Sequence, residues 1–542
     1  MKTTFIPIDY DYFDFEGRNY AKIIGRDEKG KRLCIIDSCP VYLWAILKDN
    51  LKESKIKKLI EKIQKIKLDV KGRTTKVEKV DIHNKNFLGK PVKALKVLAT
   101  NYKDLHDIAD NLDFPEIEKR RGYDLGFITH YIIEKKLTPL VWYEIDGEIL
   151  NNSSEFGGID TCLEVDMCLD ITKGKINPIP DKKFTPKVLA YDIECDEFQI
   201  GKGEILMVSL ISDNLKKVIT SKKILEPEKE HATSIEVQKR SRPSELRGES
   251  ARETRGSLAY VEYVKDEAEL LEKFVEEVKK QNPDFLVGYF SDGFDLPYLK
   301  ARAEKHNVKL SLGLDGSQPK FSRAGAGKGF TAGKIDGIVH IDLLKFIRTA
   351  YSQYMQSETL SLNEIAKEFL GDTKKDFKFV HSSKLDHIGW EKYYEYNLHD
   401  SILTFQLFEK FWPDILEFTK TIQEPPFEVS RAGLSKFTES YILHNLEKFN
   451  EIPEKRPSYD SIGERRNVQV EGAFVLEPKP GLYEKIAMFD FTSMHTSIII
   501  SHNISKSTLL EKPEKNFYES PEINEKGKLV KYYFTKTPGF FP

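Results

Sequence analysis

A mixed α/β protein is what this sequence predicts, and three observations in its middle part lead there. First, Lys187-Val188-Leu189-Ala190-Tyr191-Asp192-Ile193-Glu194 is an apolar, strand-like run, and a second such run from Ile205 to Ile211 follows at hairpin spacing. Second, Asp266-Glu267-Ala268-Glu269 has capping-box spacing and opens a helix whose Leu270, Leu271, Phe274, Val275 and Val278 form one apolar stripe. Ser361 and Glu364 repeat that spacing, with Gly371 placed to close the helix. Third, a helical pattern runs from about Trp390 to Phe408. Strands alternating with helices in this way favour a sheet packed by helices.

The flanking elements follow in order. Up to about residue 150 short strands mix with a Lys-rich stretch, Lys52 to Lys79, which reads as a solvated helix. Asn151-Asn152-Ser153-Ser154 and Gly157-Gly158 read as a connector, and 227–257, polar and rich in Arg, Glu and Ser, as a long exposed insertion. Gly325-Ala326-Gly327-Lys328-Gly329 lacks the Gly-Lys-Ser/Thr ending of a phosphate loop and reads as a turn. Pro453 to Arg466 is a charged linker.

Composition narrows the class. A length of 542 residues suits roughly three or four domains. Hydrophobic content of 40% beside 31% charged residues describes a folded chain rather than a disordered one. A net charge of −2 supplies no argument for a nucleic-acid partner, which would need local basic surfaces. Cys34, Cys39, Cys162, Cys168 and Cys195 are odd in number and without Cys-x-x-Cys spacing, so neither zinc nor a disulfide framework is indicated. A reducing cytosol fits. The start lacks an apolar signal core and no run is long enough to span a bilayer, so a soluble, cytoplasmic protein without a membrane partner is expected.

Three acidic clusters carry the chemistry. The two-residue period of a strand sends Asp192 and Glu194 to one face. Phe294-Asp295 follows, and then Tyr396-Asn397-Leu398-His399-Asp400, in which Tyr396 and Asp400 project one helical turn apart. Each cluster alone also fits a solvated surface or a packed aromatic. Together they supply the hard oxygen ligands that Mg2+ or Mn2+ prefer, and metal-assisted phosphodiester cleavage uses two such ions roughly 4 Å apart. In that reading Asp192 bridges both ions, Glu194 and Asp400 bind the ion that activates water, Asp295 completes the second site, and Tyr396 orients the nucleophile.

At these residues the chain resembles family B DNA polymerases of the archaeal type, whose proofreading domain carries Asp-x-Glu, Phe-Asp and Tyr-x-x-x-Asp motifs. The middle motif, Gly288-Tyr289-Phe290-Ser291-Asp292-Gly293-Phe294-Asp295, has Phe290 where many members have Asn. Phe489-Asp490-Phe491-Thr492-Ser493-Met494-His495-Thr496-Ser497-Ile498-Ile499 is similar to the first palm motif, with His495 in place of a Tyr and Thr496 in place of a Pro; Val470-Glu471-Gly472-Ala473 stands where the family has Tyr-x-Gly-Gly/Ala. The resemblance implies a ribonuclease-H-like exonuclease domain between an N-terminal α+β domain and an incomplete polymerase palm. Its divisions would be an N-terminal domain 1–150, an exonuclease domain 151–411, a helical return 412–453, and a linker with the start of the palm 454–542.

It also implies site residues and partners. Asp490 would be a catalytic metal ligand of the polymerase site, His495 would meet the nucleotide, and Phe294 would touch the substrate strand. Pro40, Val41, Pro91, Val92, Ala94 and Phe127 would form a pocket sensing uracil in template DNA, completed by Asp11, Tyr12 and Leu125, with His130 where Arg is usual. These apolar residues also fit a plain small-domain core. Implied partners are DNA as primer-template and single strand, deoxynucleoside triphosphates for the complete enzyme, a separate C-terminal polymerase polypeptide and a sliding clamp. The chain ends at Pro542, where the family continues into fingers, a second acidic palm motif and thumb. Expected functions are therefore DNA-directed synthesis for the complete enzyme and 3′-to-5′ exonuclease for this chain, which alone should not extend a primer. A free-standing repair exonuclease and a non-catalytic DNA-binding or assembly subunit are the alternatives.

Overall fold

The computed structural model describes residues 1–70, 72–151, 155–222, 259–323, 331–372, 382–467, 474–525 and 527–542. The expected insertion 227–257, the glycine run 325–329 and the segment 470–473 lie outside the described residues. The chain divides into two compact units, each discontinuous in sequence.

The first unit comprises Met1–Phe15, Tyr20–Cys39 and Tyr131–Tyr441. Strands β1 (Lys2–Phe15), β2 (Arg18–Arg26), β3 (Arg32–Ser38), β4 (Tyr143–Ile149) and β5 (Met167–Pro178) close a barrel in the order β1-β2-β3-β5-β4. Strands β6 (Val188–Cys195), β7 (Ile205–Ser212), β8 (Leu215–Thr220), β9 (Val261–Tyr263), β10 (Phe285–Gly288) and β11 (Val339–Asp342) form one sheet in the order β9-β8-β7-β6-β10-β11. The expected hairpin is β6 with β7, antiparallel, whereas β10 joins β6 in parallel. Asp284 ties barrel to sheet: its carboxylate accepts from Arg26 at 2.6 Å and from the Lys187 amide at 2.9 Å.

Helices α1 (Glu267–Gln281), α2 (Asp295–Lys305), α3 (Leu343–Ala350), α4 (Leu362–Leu370) and α5 (His387–Ile422) pack around this sheet. The capping signals act as expected, with Asp266 accepting from the Glu269 amide, Ser361 from the Glu364 amide, and Gly371 ending α4 at φ 72°. Leu270, Leu271, Phe274 and Val278 are fully buried, each worth about 1.5–3 kcal/mol of apolar burial. Helix α5 runs on through Pro413, so the expected boundary at 411/412 falls inside a helix. The lost backbone bond is offset by the burial of Phe408, Phe411 and Ile415 on both sides.

Strand β6 is covered on both faces, which explains why its sequence is apolar almost throughout. Leu189, Tyr191 and Ile193 pack in the core with α1 and α2 residues, while Ala190 packs with Tyr393, Tyr394 and Leu398 of α5. By alternation Asp192 and Glu194 share the α5 side.

The second unit comprises Glu16–Asn19, Pro40–His130 and Ile442–Pro542. Its five-stranded sheet runs Lys67–Val70, Arg73–Phe87, Lys90–Ala99, Val41–Leu47, Ile117–Arg121. The expected helix over Lys52 to Lys79 is shorter: Glu53–Ile63 is helical, burying Ile56, Leu59 and Ile63, and the rest enters two strands. Expected division 1–150 is thus split, because its first strands complete a barrel with β4 and β5 while 40–130 folds on its own sheet.

Candidate metal centre

Strand β6 and helix α5 bring three acids together. Asp192, Glu194 and Asp400 each offer a carboxylate oxygen within 4.8 Å of the others, with Asp400 buried and the two strand acids half-buried. Gathering three like charges at a partly buried site is unfavourable without a cation, so the donor set fits a hard divalent ion. Two further α5 side chains reach these acids. Tyr393 donates its hydroxyl to Glu194 Oε2 at 2.9 Å, and Asn397 donates Nδ2 to Asp192 Oδ2 at 2.7 Å. Residues 393, 397 and 400 follow the i, i+4, i+7 spacing of one helix face.

Small residues let the helix lie close. Ser209, in register with Asp192 across the hairpin, donates to the Asn397 carbonyl at 2.8 Å, and its hydroxyl lies 2.6 Å from that of Ser401. Sequence reasoning missed Tyr393, Asn397 and this serine pair. Helical spacing from Asp400 would have exposed the first two; the serines carry no signal without the strand register.

Asp295 stands beside this cluster rather than in it. It is the first residue of α2, is buried, and accepts the Ile193 backbone N–H at 3.2 Å, between the two strand acids in sequence. Phe294 caps that helix and its ring lies 5.4 Å from that of Tyr298. Tyr396 is half-buried, its ring 6.3 Å from Tyr393.

The loop before Asp295 is anchored by a buried charge network that sequence reasoning also missed. Asp292 accepts from Lys345 at 2.7 Å, Arg431 at 2.8 Å and the Gly333 amide at 2.9 Å. Burial opposes its ionisation, but the His340 contact and the Arg431 charge hold its carboxyl well below the usual range. Asp342 accepts the amides of Phe290 and Asp292, and burial beside Asp292 pushes its own carboxyl up.

Most of the other expected site residues lie in the second unit. Asp490 and His495 are on an exposed segment, His495 within the helix Met494–Ser501, and neither joins an acidic cluster among the described residues. The expected uracil pocket is corrected by strand register. Val41 pairs with Ala99, whereas Val92 pairs with Lys85 seven residues further along the same strand, about 24 Å away at ~3.4 Å per residue. Pro40 and Val41 therefore cannot share a pocket with Pro91 and Val92. Pro40 instead neighbours His130, whose Nε2 lies 2.9 Å from its carbonyl, and Phe127 is buried beside Tyr102. Pro91 and Val92 line a different cavity of about 400 Å³ with Lys48, Asn50, Lys85 and Lys93. Ala94 is fully buried in a core with Trp44, Ile46 and Phe87. Asp11 and Tyr12 belong to the first unit.

Comparison with known proteins agrees with the motifs. Residues 118–365 match the family model described as DNA polymerase family B, exonuclease domain, and residues 429–537 match that of DNA polymerase family B. The chain belongs to the family B DNA polymerases. Asp192, Glu194 and Asp295 of this family B chain fall in the first match and Asp490 and His495 in the second, while Tyr396 and Asp400 lie between them. It is 27% identical over 99% of its length to a DNA polymerase of Pyrococcus glycovorans, of which it covers 58%. It is 28% identical to a DNA polymerase of Thermococcus litoralis, covering 26% of that protein. The fold resembles the solved family B DNA polymerase of Pyrobaculum calidifontis, with a TM-score of 0.69, 21% identity, and coverage of 99% of this chain and 61% of that one. This family B chain thus spans little more than half the length of several relatives that it matches. Among the described residues no helix is long and apolar enough to cross a membrane.

Proposed function

We propose that this chain carries a metal-dependent exonuclease that removes nucleotides from the 3′ end of single-stranded DNA, the proofreading activity of a DNA-directed DNA polymerase. The convergence of Asp192, Glu194 and Asp400 on one partly buried site carries the reading, and the match of 118–365 to the exonuclease domain supports it. Mg2+ or Mn2+ supplies Lewis acidity there, and the site takes two ions. Asp192 would be the shared ligand, Glu194 and Asp400 would hold one ion, Asp295 would contribute to the other, and Tyr396 would orient the attacking water. Phe294 supports the strand end.

Synthesis belongs to the same proposal for the whole protein. Its partners would be primer-template DNA, deoxynucleoside triphosphates and a sliding clamp, its location would be cytoplasmic, and Asp490 would be a metal ligand of the polymerase site with His495 near the nucleotide. The test uses 5′-labelled single-stranded DNA with the full chain and Mg2+ or Mn2+. Wild type shortens it from the 3′ end, and Asp192→Ala with Glu194→Ala slows this at least about a thousandfold, since metal charge stabilisation is worth several kcal/mol. Asp490→Ala leaves the rate unchanged. An unchanged rate in the double variant removes the site assignment.

A further inference from the structure

The acidic cluster is held from one side by a single helix face, and the two donors on that face have separate targets. Tyr393 reaches Glu194 and Asn397 reaches Asp192, each through one carboxylate oxygen. Both donors are buried, Tyr393 at 1% exposure and Asn397 at 0%. Neither belongs to the Tyr-x-x-x-Asp motif, which uses Tyr396 and Asp400. The Asn397 carbonyl is in turn held by Ser209, so its backbone is fixed to the strand that pairs with Asp192.

Resting on the exonuclease reading above, we propose that Tyr393 and Asn397 are positioning residues that orient Glu194 and Asp192 toward a divalent cation, so that Tyr393 tunes metal affinity while Tyr396 serves the attacking water. A ligating carboxylate that is itself hydrogen-bonded loses less orientational freedom on binding a metal, and such outer partners change affinity by about 10–100-fold. Tyr393 suits the task. Its ring is braced by Trp390 at 6.0 Å and Tyr396 at 6.3 Å, so removal of the hydroxyl alone leaves the packing in place. Asn397 has its amide orientation dictated by Asp192, because only Nδ2 can face a carboxylate.

The two tyrosines thereby divide the work. A phenol committed to a metal ligand sets how tightly the ion is held, and one directed at the water sets how fast the held complex reacts. In steady state the first moves the metal concentration for half-maximal rate, and the second moves the rate at saturating metal.

The experiment titrates Mn2+ alone into the full chain by calorimetry and measures cleavage of single-stranded DNA over a range of Mn2+. Tyr393→Phe is expected to weaken Mn2+ binding by about tenfold or more and to raise the activating concentration to the same extent, with the saturating rate within a few-fold of wild type. Tyr396→Phe is expected to do the reverse, lowering the saturating rate with Mn2+ affinity kept. Thermal melting reports folding; if Tyr393→Phe melts early, Asn397→Ala decides by the same two readouts. Unchanged Mn2+ affinity in a folded Tyr393→Phe or Asn397→Ala chain overturns the inference while leaving the nuclease reading intact. A wild-type chain that neither binds Mn2+ nor cleaves sinks that reading itself.

Discussion

The hydroxyls of Ser209 and Ser401 lie 2.6 Å apart, both side chains fully buried. This contact sets the spacing between the hairpin and α5, and with it the distance between the strand acids and Asp400. A larger side chain here must push the helix outward, since interiors are close-packed. Ser401→Leu is expected to cost about 1–3 kcal/mol in urea unfolding and to reduce exonuclease activity. Ser401→Ala should retain both to a large extent; equal activity in the Leu and Ala chains would show that the spacing does not matter.

Arg431 holds the loop that leads to Asp295. Its side chain is 5% exposed and pairs with Asp292, which is fully buried. Removing Arg431 leaves buried Asp292 with Lys345 as its remaining close cation, so Arg431→Ala should lower stability by less than the about 3–5 kcal/mol of a buried pair broken outright. Arg431→Lys keeps the charge but not the fork that also reaches the His340 carbonyl, and should fall between. Denaturant midpoints of the three chains check the order.

Asp9 makes stability depend on pH. Burial is the largest cause of its carboxyl being raised to about 6 from 3.8, with Asp11 and Asp336 adding to it and Lys334 opposing. Because the folded state holds this proton more tightly than the unfolded one, stability falls as pH rises from about 4 to 6 and is level above. The window is worth on the order of 3 kcal/mol. Asp9→Asn keeps an acceptor for the Gly337 amide, 3.0 Å away, and should be more stable than wild type at pH 8 but not at pH 4. A difference between the two chains that does not change with pH would contradict the assignment.

Ala94 tests the corrected pocket. Ala94→Gln forces a long amide into the core beside Trp44, Ile46 and Phe87, and should destabilise by about 1–3 kcal/mol from overpacking alone. It should leave unchanged the ratio of affinities for matched strands with uracil or thymine, measured at one salt concentration. A specific loss of uracil preference at unchanged stability would restore Ala94 to a base-sensing role.

The sequence by itself determined the local elements and the identity of the acids. Period-two alternation placed Asp192 and Glu194 on one face, capping boxes located α1 and α4, and helical spacing paired Tyr396 with Asp400, because these signals depend on neighbours within a turn or a strand. Tertiary structure alone decided which groups meet across the chain. The Tyr393–Glu194 and Asn397–Asp192 contacts span 199 and 205 residues, and Asp292 finds Arg431 139 residues away. Register decided the rest. A strand's side chains are set by its partner's offset, so Val41, next to Pro40, pairs at one end of the strand Lys90–Ala99 and Pro91 lies at the other although both motifs were legible, and β1 to β3 went to a barrel that closes only with β4 and β5. Pairing energies of that kind are long-range, and no local pattern encodes them.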